Sequence, residues 1–222
     1  MSNIECVMFD CDGTLVDSEV LCCRAYVVMF AHYDIHLSLE GVIKRFKGIK
    51  LNEIVARVSQ ENGLDEPIEK LEKLYRAEVA RLFDAELQPI AGAKALLEQI
   101  TLPVCVVSNG PVSKMQHSLG LTGLLPFFED KLYSGYDIQR WKPDPTLIYH
   151  AAEKMHVAAE RCILVEDSAA GTHAGIAAGI PVYYYCADPH NQPIHHPLVT
   201  MFDDMRQLPD LWRDRGWQIT SH

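Results

Sequence analysis

Two aspartates, Asp10 and Asp12, stand two residues apart at the end of an apolar run and are followed by Gly13. The run, residues 4–9, predicts a buried strand, and glycine permits the chain to turn directly after it. Two carboxylates held together there repel each other unless a hard cation such as Mg²⁺ lies between them. One acid is then suited to attack a phosphorus atom and the other to move a proton. The alternative is a solvated turn, because Asp and Gly are also common turn residues.

Two further apolar runs end in polar side chains. Residues 104–107 are followed by Ser108 and Asn109, and residues 162–165 are followed by Glu166 and Asp167. A hydroxyl with nearby backbone N–H groups suits phosphate oxygens, and the second acidic pair is suited to complete a metal site with the first. A polar turn at residue 108 and a helix N-cap by Asp167 or its neighbour are the structural alternatives.

Lys142 precedes Pro143, which favours an extended backbone at the lysine. An ammonium presented in this way can neutralise charge on a carboxylate nucleophile and on a phosphoryl group, although a surface lysine is the alternative. Four segments of the chain therefore supply, in chain order, a pair of acids, a hydroxyl, a cation and a second pair of acids. Ligands of open α/β sheets bind beyond the carboxyl ends of the strands, so the set predicts a phosphoryl-transfer site.

The elements that must position these residues alternate between strands and helices. Helical patterns cover residues 92–100, 146–155 and 169–178. This alternation predicts an α/β fold, a Rossmann-like parallel sheet with helices on both faces. The strand-like runs are residues 4–9, 104–107, 162–165 and 181–185, with weaker runs near 131–134 and 199–202.

Residues 16–86 depart from this alternation because they show helical periodicity alone. Within this block we expect a helix over residues 19–33 that is capped by Asp17 or Ser18, followed by two more apolar helical stripes. The block predicts a helical cap domain, residues 16–86, inserted into a catalytic core of residues 1–15 and 87–222. In the core we expect a last short helix near residues 210–215.

Composition narrows the function classes. The 222 residues are 48% hydrophobic, which is enough for a sizeable buried core. Their formal net charge of −10 argues against a surface that binds nucleic acid or an anionic membrane. No apolar run reaches the ~20 residues of a membrane span, and the N-terminus lacks a signal-like segment. Seven cysteines without a Cys-x-x-Cys pair suit neither a disulfide framework nor a structural zinc site. We expect a cytoplasmic monomer.

The motif of residues 10–18, together with Ser108, Lys142, Glu166 and Asp167, resembles the haloacid dehalogenase superfamily in its β-phosphoglucomutase-like phosphatase branch, with a C1-type cap. The resemblance implies that Asp10 is the nucleophile and Asp12 the general acid/base, whose backbone carbonyl also contacts Mg²⁺. It implies metal ligation by Asp10, Asp12 and Asp167, with Glu166 binding the metal directly or through water. It further implies that Ser108 is the phosphate-binding hydroxyl and Lys142 the lysine that neutralises charge on the phosphate. Mn²⁺ is a candidate replacement for Mg²⁺, because both ions suit oxygen-rich sites.

Segments around residues 45–48, 134–143 and 186–191 are similar to bacterial phosphatases that act on 6-phosphogluconate. This implies a small phosphorylated sugar or sugar acid as substrate. Residues Arg45 and Lys47 are candidates for reading a distal carboxylate, with a solvated helix end as the alternative, and Asn109 is a further substrate-binding candidate. A sugar-phosphate mutase of the β-phosphoglucomutase type is the alternative activity. A dehalogenase, a phosphonate hydrolase and a non-catalytic binder are less favoured.

Overall fold

The computed structural model describes residues 3–46, 49, 51–189 and 191–221. Within these residues six strands form a single sheet in the order β3-β2-β1-β4-β5-β6, and all neighbouring strands run parallel. The predicted α/β fold with a parallel sheet is confirmed. The strands are β1 (Cys6–Phe9), β2 (Val104–Ser108), β3 (Leu132–Ser134), β4 (Cys162–Glu166), β5 (Val182–Tyr185) and β6 (Val199–Phe202).

Eleven α-helices occur in the same described residues, and two short 3-10 helices lie at Ala159–Arg161 and Met205–Gln207. The α-helices are α1 (Glu19–Ala31), α2 (Leu39–Phe46), α3 (Leu51–Asn62), α4 (Ile68–Glu86), α5 (Ala93–Gln99), α6 (Val112–Leu121), α7 (Leu125–Phe128), α8 (Gly135–Ile138), α9 (Thr146–Lys154), α10 (Ala169–Ala177) and α11 (Leu208–Asp214). None of these helices is long and apolar enough to cross a membrane.

Both faces of the sheet are covered, because every residue of β1 and of β4 is buried although their side chains alternate between the faces. On one face Cys6, Met8 and Leu164 pack against apolar residues of α9 and α10. On the other face the ring of Phe9 meets the edge of Phe128 of α7, with 6.1 Å between ring centroids. Strands buried in this way read as continuous apolar runs, which is why they are visible in the sequence.

The order of the strands reverses at β1, which lies between β2 and β4. Chain order proceeds outward from β1 toward β3 on one side and toward β6 on the other. In sheets of this kind the connections on the two sides diverge and leave a crevice at the carboxyl end of the central strand. Asp10 is the first residue after β1, so the nucleophile candidate lies at that crevice.

The chain divides into two compact units, Ser18–Leu87 and the remainder, Met1–Asp17 with Gln88–His222. The first unit contains α1 to α4, which share a core of their own around Met29, Phe30 and Val55. The chain leaves the second unit after Asp17 and re-enters it at Gln88, and these two residues are paired, since Asp17 N–H donates to the Gln88 carbonyl at 2.9 Å. Because the two ends of the insertion are adjacent, the helical block can be inserted without separating the strands on either side. The predicted boundaries at residues 15/16 and 86/87 differ from these units by one or two residues.

Some local predictions were wrong. Ser18 is the N-cap residue of α1, but its side chain makes no capping hydrogen bond, and α1 ends at Ala31 instead of residue 33. The last helix begins two residues earlier than predicted and ends at Asp214. Helices α2, α6, α7 and α8 were not predicted, because each has only four to ten residues and gives too short a periodic pattern to be recognised.

Candidate active site

The carboxyl ends of β1, β2 and β4 bring the predicted residues together. Phe9 is in register with Val106 of β2 and Val165 of β4, so the residues that follow it lie level with Ser108 and Glu166. All these chemistry-bearing side chains are buried, with Asp10 7% exposed, Ser108 2% and Glu166 0%. The register of a parallel sheet therefore concentrates acids and a hydroxyl at one edge.

Lys142 is the centre of this cluster. Its Nζ donates to Asp10 Oδ1 and to Glu166 Oε2, each at 2.6 Å, and to the Val107 carbonyl at 3.0 Å. An ammonium has three N–H groups, and these three acceptors match them. The surface-lysine alternative is wrong, because Lys142 is 5% exposed. Its charge is held between two carboxylates at the end of the sheet.

Asn109 holds the backbone of Lys142 in place. Its side-chain oxygen accepts from Lys142 N–H at 2.8 Å, and its side-chain nitrogen donates to the Lys142 carbonyl at 3.0 Å. Both ends of the Asn109 amide thus bond one residue, which lies on a different segment of the chain. The sequence suggested Asn109 as a substrate-binding residue. In the structure its side chain bonds the backbone of Lys142, and the substrate-binding role stays a prediction.

Glu166 is fixed by a dense set of hydrogen bonds. Its Oε1 accepts from the backbone N–H groups of Asp167 and Ser168, at 3.1 and 2.9 Å, and from the Ser168 hydroxyl at 2.8 Å. Ser168 also caps α10 by accepting from Gly171 N–H, so the N-cap interpretation applies to this neighbour of Asp167. A Cβ at Gly171 would lie 1.7 Å from Glu166 Oε2. The glycine is therefore required for the carboxylate to lie beside the helix.

Asp167 is oriented by the loop that follows β1. Thr14 Oγ1 donates to Asp167 Oδ1 at 2.9 Å. Gly13 has a φ of +81°, and a Cβ there would lie 2.2 Å from Asp167 Oδ2. Glycine is needed at this position both for the left-handed turn and for the close approach of the carboxylate.

Carboxylate oxygens of Asp10, Glu166 and Asp167 lie within 4.8 Å of one another. Burial, and then the negative charge of Glu166, raise the pKa of Asp10 from 3.8 to about 7, against the opposing effect of Lys142. Burial alone would lower the pKa of Lys142, but the carboxylates of Asp10 and Glu166 raise it above its usual value, so the lysine stays charged. Three acids then face one ammonium, and this excess of negative charge together with oxygen ligands fits a hard divalent cation.

The side chain of Asp12 is turned to another partner. Its Oδ2 accepts from Lys114 Nζ of α6 at 2.8 Å, and it is not part of the three-acid cluster found among the described residues. The metal contact predicted for Asp12 involves its backbone carbonyl, so this placement leaves that prediction open. Lys114 was missed in the sequence because α6 itself was not recognised. Lys114 lies in the first turn of the helix that follows the strand ending at Ser108, and this position is the sequence feature that could have identified it.

Ser108 lies at the end of β2, near the ion pair of Asp12 and Lys114. Its Oγ accepts from Gly110 N–H at 3.0 Å, and the Gly110 carbonyl in turn accepts from Ser134 Oγ at 2.7 Å. The hydroxyl is thereby held at the carboxyl edge of the sheet, where the phosphate-binding role predicted for it requires it to be.

The cap residue Arg45 already has a carboxylate partner. Its guanidinium nitrogen contacts both oxygens of Glu61, at 2.6 and 2.8 Å, and both side chains are about half exposed. Lys47, the other predicted reader of a distal carboxylate, lies outside the described residues, as does Gly48. The reader role of Arg45 and Lys47 stays a prediction.

The sequence profile of haloacid dehalogenase-like hydrolases matches residues 7–184. The chain belongs to this family. Within it, the 6-phosphogluconate phosphatase of Escherichia coli (strain K12) is 62% identical over 221 residues, covering all of both chains. A phosphorylated carbohydrates phosphatase of Thermotoga maritima is 26% identical and covers 82% of this chain and 84% of its own.

Solved structures of the haloacid dehalogenase-like family share the fold. A conserved protein of unknown function from Agrobacterium tumefaciens superposes with a TM-score of 0.79 at 27% identity, covering 96% of this chain and 100% of its own. A family hydrolase from Deinococcus radiodurans, solved with bound phosphate and sodium, has a TM-score of 0.76 at 23% identity and covers 97% and 98%. The predicted membership of the superfamily is confirmed.

Proposed function

We propose that this protein is a metal-dependent phosphatase of small sugar phosphates and that 6-phosphogluconate is its preferred substrate. The full-length relative with 62% identity carries the proposal, because it acts on that compound according to its name. The buried cluster of Lys142 with Asp10 and Glu166 supports the chemistry. A nucleophile, a neutralising cation and an acidic metal site are the groups that phosphoryl transfer needs.

In the proposed reaction Asp10 attacks the phosphorus atom of the ester, and the bond from phosphorus to the sugar oxygen breaks. Asp12 gives a proton to that departing oxygen. Water then attacks the phosphorus of the aspartyl-phosphate, Asp12 takes a proton from the water, and inorganic phosphate leaves with Asp10 restored.

Other residues of the core bind and neutralise the phosphoryl group in this proposal. Lys142 offsets negative charge on Asp10 and on the transferred oxygens, and Ser108 donates its hydroxyl to one of those oxygens. Asp10 and Asp167 would hold Mg²⁺, or Mn²⁺ in its place, together with Glu166 and the Asp12 backbone carbonyl. Bound there, the ion would neutralise charge on the phosphoryl oxygens.

We further propose that the protein acts in the cytoplasm as a monomer. None of the seven cysteines, all of which lie in the described residues, forms a disulfide, which suits the reducing cytoplasm where sugar phosphates occur. The proposed core residues come from one chain, which is compatible with a monomer.

Phosphate release from a panel of sugar phosphates, with Mg²⁺ and with an EDTA control, tests the proposal. The panel contains 6-phosphogluconate, glucose 6-phosphate and β-glucose 1-phosphate. We expect metal-dependent release that is greatest on 6-phosphogluconate. If release is greatest on a neutral sugar phosphate, 6-phosphogluconate is rejected as the preferred substrate and the phosphatase activity is retained. Conversion of glucose 1-phosphate into glucose 6-phosphate without release would overturn the phosphatase in favour of the mutase.

A further inference from the structure

Helix α6 (Val112–Leu121) contacts the loop after β1 at two points one helical turn apart. Lys114 Nζ lies 2.8 Å from Asp12 Oδ2, and Ser118 Oγ lies 3.6 Å from the sulfur of Cys11. Residues four apart share one face of a helix, so a single helix face holds two consecutive loop residues. The inner contact is fully buried, since Ser118 is 0% and Cys11 1% exposed. The outer contact is an ion pair that is about one-quarter exposed.

The same helix face approaches the phosphate-binding end of β2. A Cβ at Gly110 would lie 3.4 Å from Ser108 Oγ, 3.6 Å from Asp12 Oδ2 and 3.7 Å from Lys114 Cδ. The hydroxyl proposed to bind phosphate, the proposed acid/base and Lys114 therefore surround one small residue. Lys114 lies next to the reacting groups, although no step of the proposed reaction uses it.

We infer that Lys114 is the positioning residue for the acid/base Asp12. A charge-assisted hydrogen bond to one oxygen fixes the plane of a carboxyl group, and Asp12 can exchange a proton with the departing oxygen only if that plane is correct. A misplacement of about 1 Å in such a group costs roughly a hundredfold in rate. The inference rests on the proposed phosphatase activity and adds to it a residue that acts through Asp12.

The position of Lys114 favours this role over a purely structural one. A partly exposed ion pair adds little to stability, and α6 is already anchored by buried residues such as Met115 and Leu119. A pair that adds little to folding but holds the acid/base in orientation is expected to affect catalysis more than stability.

The test compares two esters that differ in their need for a proton. The sugar of a sugar phosphate departs as an alkoxide, which is a poor leaving group and requires protonation by the general acid. p-Nitrophenyl phosphate instead releases a stable phenolate, which departs without protonation. The values of kcat/KM are compared because they cover the steps up to departure of the leaving group. For Lys114→Met we expect a fall of about ten- to a hundredfold on 6-phosphogluconate and less than about threefold on p-nitrophenyl phosphate.

Two further variants separate positioning from a general loss of structure. Lys114→Arg, which keeps a donor and the charge, should recover most of the sugar-phosphate activity. In an Asp12→Asn background, Lys114→Met should change kcat/KM by less than about twofold, because residues that act as a unit are not additive. Lys131→Met, which removes a surface lysine paired with Glu129 at 3.3 Å, is the matched control and should leave both esters unchanged.

Equal losses on both esters, no rescue by arginine, or full additivity with Asp12→Asn would each overturn the role of Lys114 while the phosphatase stands. A wild-type protein that releases no phosphate from either ester would instead overturn the proposed function, and the inference with it. Melting temperatures of all variants show whether a uniform loss comes from unfolding.

Discussion

Lys142 Nζ lies 2.6 Å from Asp10 Oδ1, although the two residues are 132 positions apart in the chain. The same ammonium lies 2.6 Å from Glu166. Asp10 and Glu166 come together because β1 and β4 are adjacent, and Lys142 reaches both from the loop between α8 and α9. Lys142 therefore joins the nucleophile candidate to the metal-site acids and is the residue on which the electrostatics of the cluster depend.

Lys142→Met should lower the free energy of unfolding by about 3–5 kcal/mol at pH 8, because it leaves buried carboxylates without their cation. Carboxylates that lose a cation take up protons more readily, so the loss should be smaller at pH 5.5. Denaturant unfolding in EDTA at the two pH values measures this. Lys131→Met, at an exposed ion pair, should change stability by less than about 1 kcal/mol. Equal losses for the two variants would contradict the central place given to Lys142.

Asp10→Asn should lower kcat by at least about a thousandfold, because an amide cannot form the aspartyl-phosphate. Its stability should not fall, since the change removes one negative charge from a cluster with an excess of them. Steady-state phosphate release and a thermal melt measure the two quantities. Asp130→Asn at an exposed position is the control. A variant that kept most of its activity would exclude Asp10 as the nucleophile.

Binding of Mg²⁺ should depend on pH through Asp10. The pKa of this carboxyl is raised from 3.8 to about 7 by burial and by Glu166, so a proton competes with the metal below pH 7 and affinity falls as the pH drops. Mg²⁺ at about a hundred times its Kd should raise the Tm by ~5–10 °C at pH 8. The same concentration should have a clearly smaller effect at pH 5.5. A Tm shift that is independent of pH would argue against Asp10 as a ligand.

Two helical glycines should respond in opposite ways to alanine. At Gly171 a Cβ would collide with Glu166 Oε2 at 1.7 Å, whereas at Gly120 it would meet nothing within 4 Å. Gly171→Ala should cost about 1–3 kcal/mol through overpacking and should reduce activity, because it moves Glu166. Gly120→Ala should be neutral or stabilise by up to ~1 kcal/mol. Denaturant midpoints and kcat measure both, and similar midpoints for the two variants would refute the packing argument.

Arg45→Ala should raise KM for 6-phosphogluconate more than for glucose 6-phosphate if the guanidinium reads the substrate carboxylate. Since Arg45 is paired with Glu61 at 2.6 Å, Glu61→Ala is the informative comparison. A reader that loses a competing partner should bind the acidic substrate at least as well. If both variants raise KM equally on both substrates, the pair has a structural role and the reader idea fails.

The candidate-site residues that follow strands could be located from the sequence, whereas the contacts that helices and loops make with them could not. Asp10, Ser108 and Glu166 follow runs of apolar residues long enough to be recognised, and the parallel register brings them to one edge. Lys114 could not be found in the same way, because α6 has buried residues at only three of its positions. The bonds of Asn109 to Lys142 join segments 33 residues apart, and local pattern carries no information about such a pair.

The sequence by itself determined the alternation of strands and helices, the helical insertion and the identity of the reactive side chains. These follow from local periodicity and residue chemistry, which are properties of short segments. Only the tertiary structure decided which partner each side chain has: Lys142 between Asp10 and Glu166, and Asp12 with Lys114. Such pairings depend on strand order and on close packing between segments distant in the chain, where clearances of a few tenths of an ångström decide which contacts form.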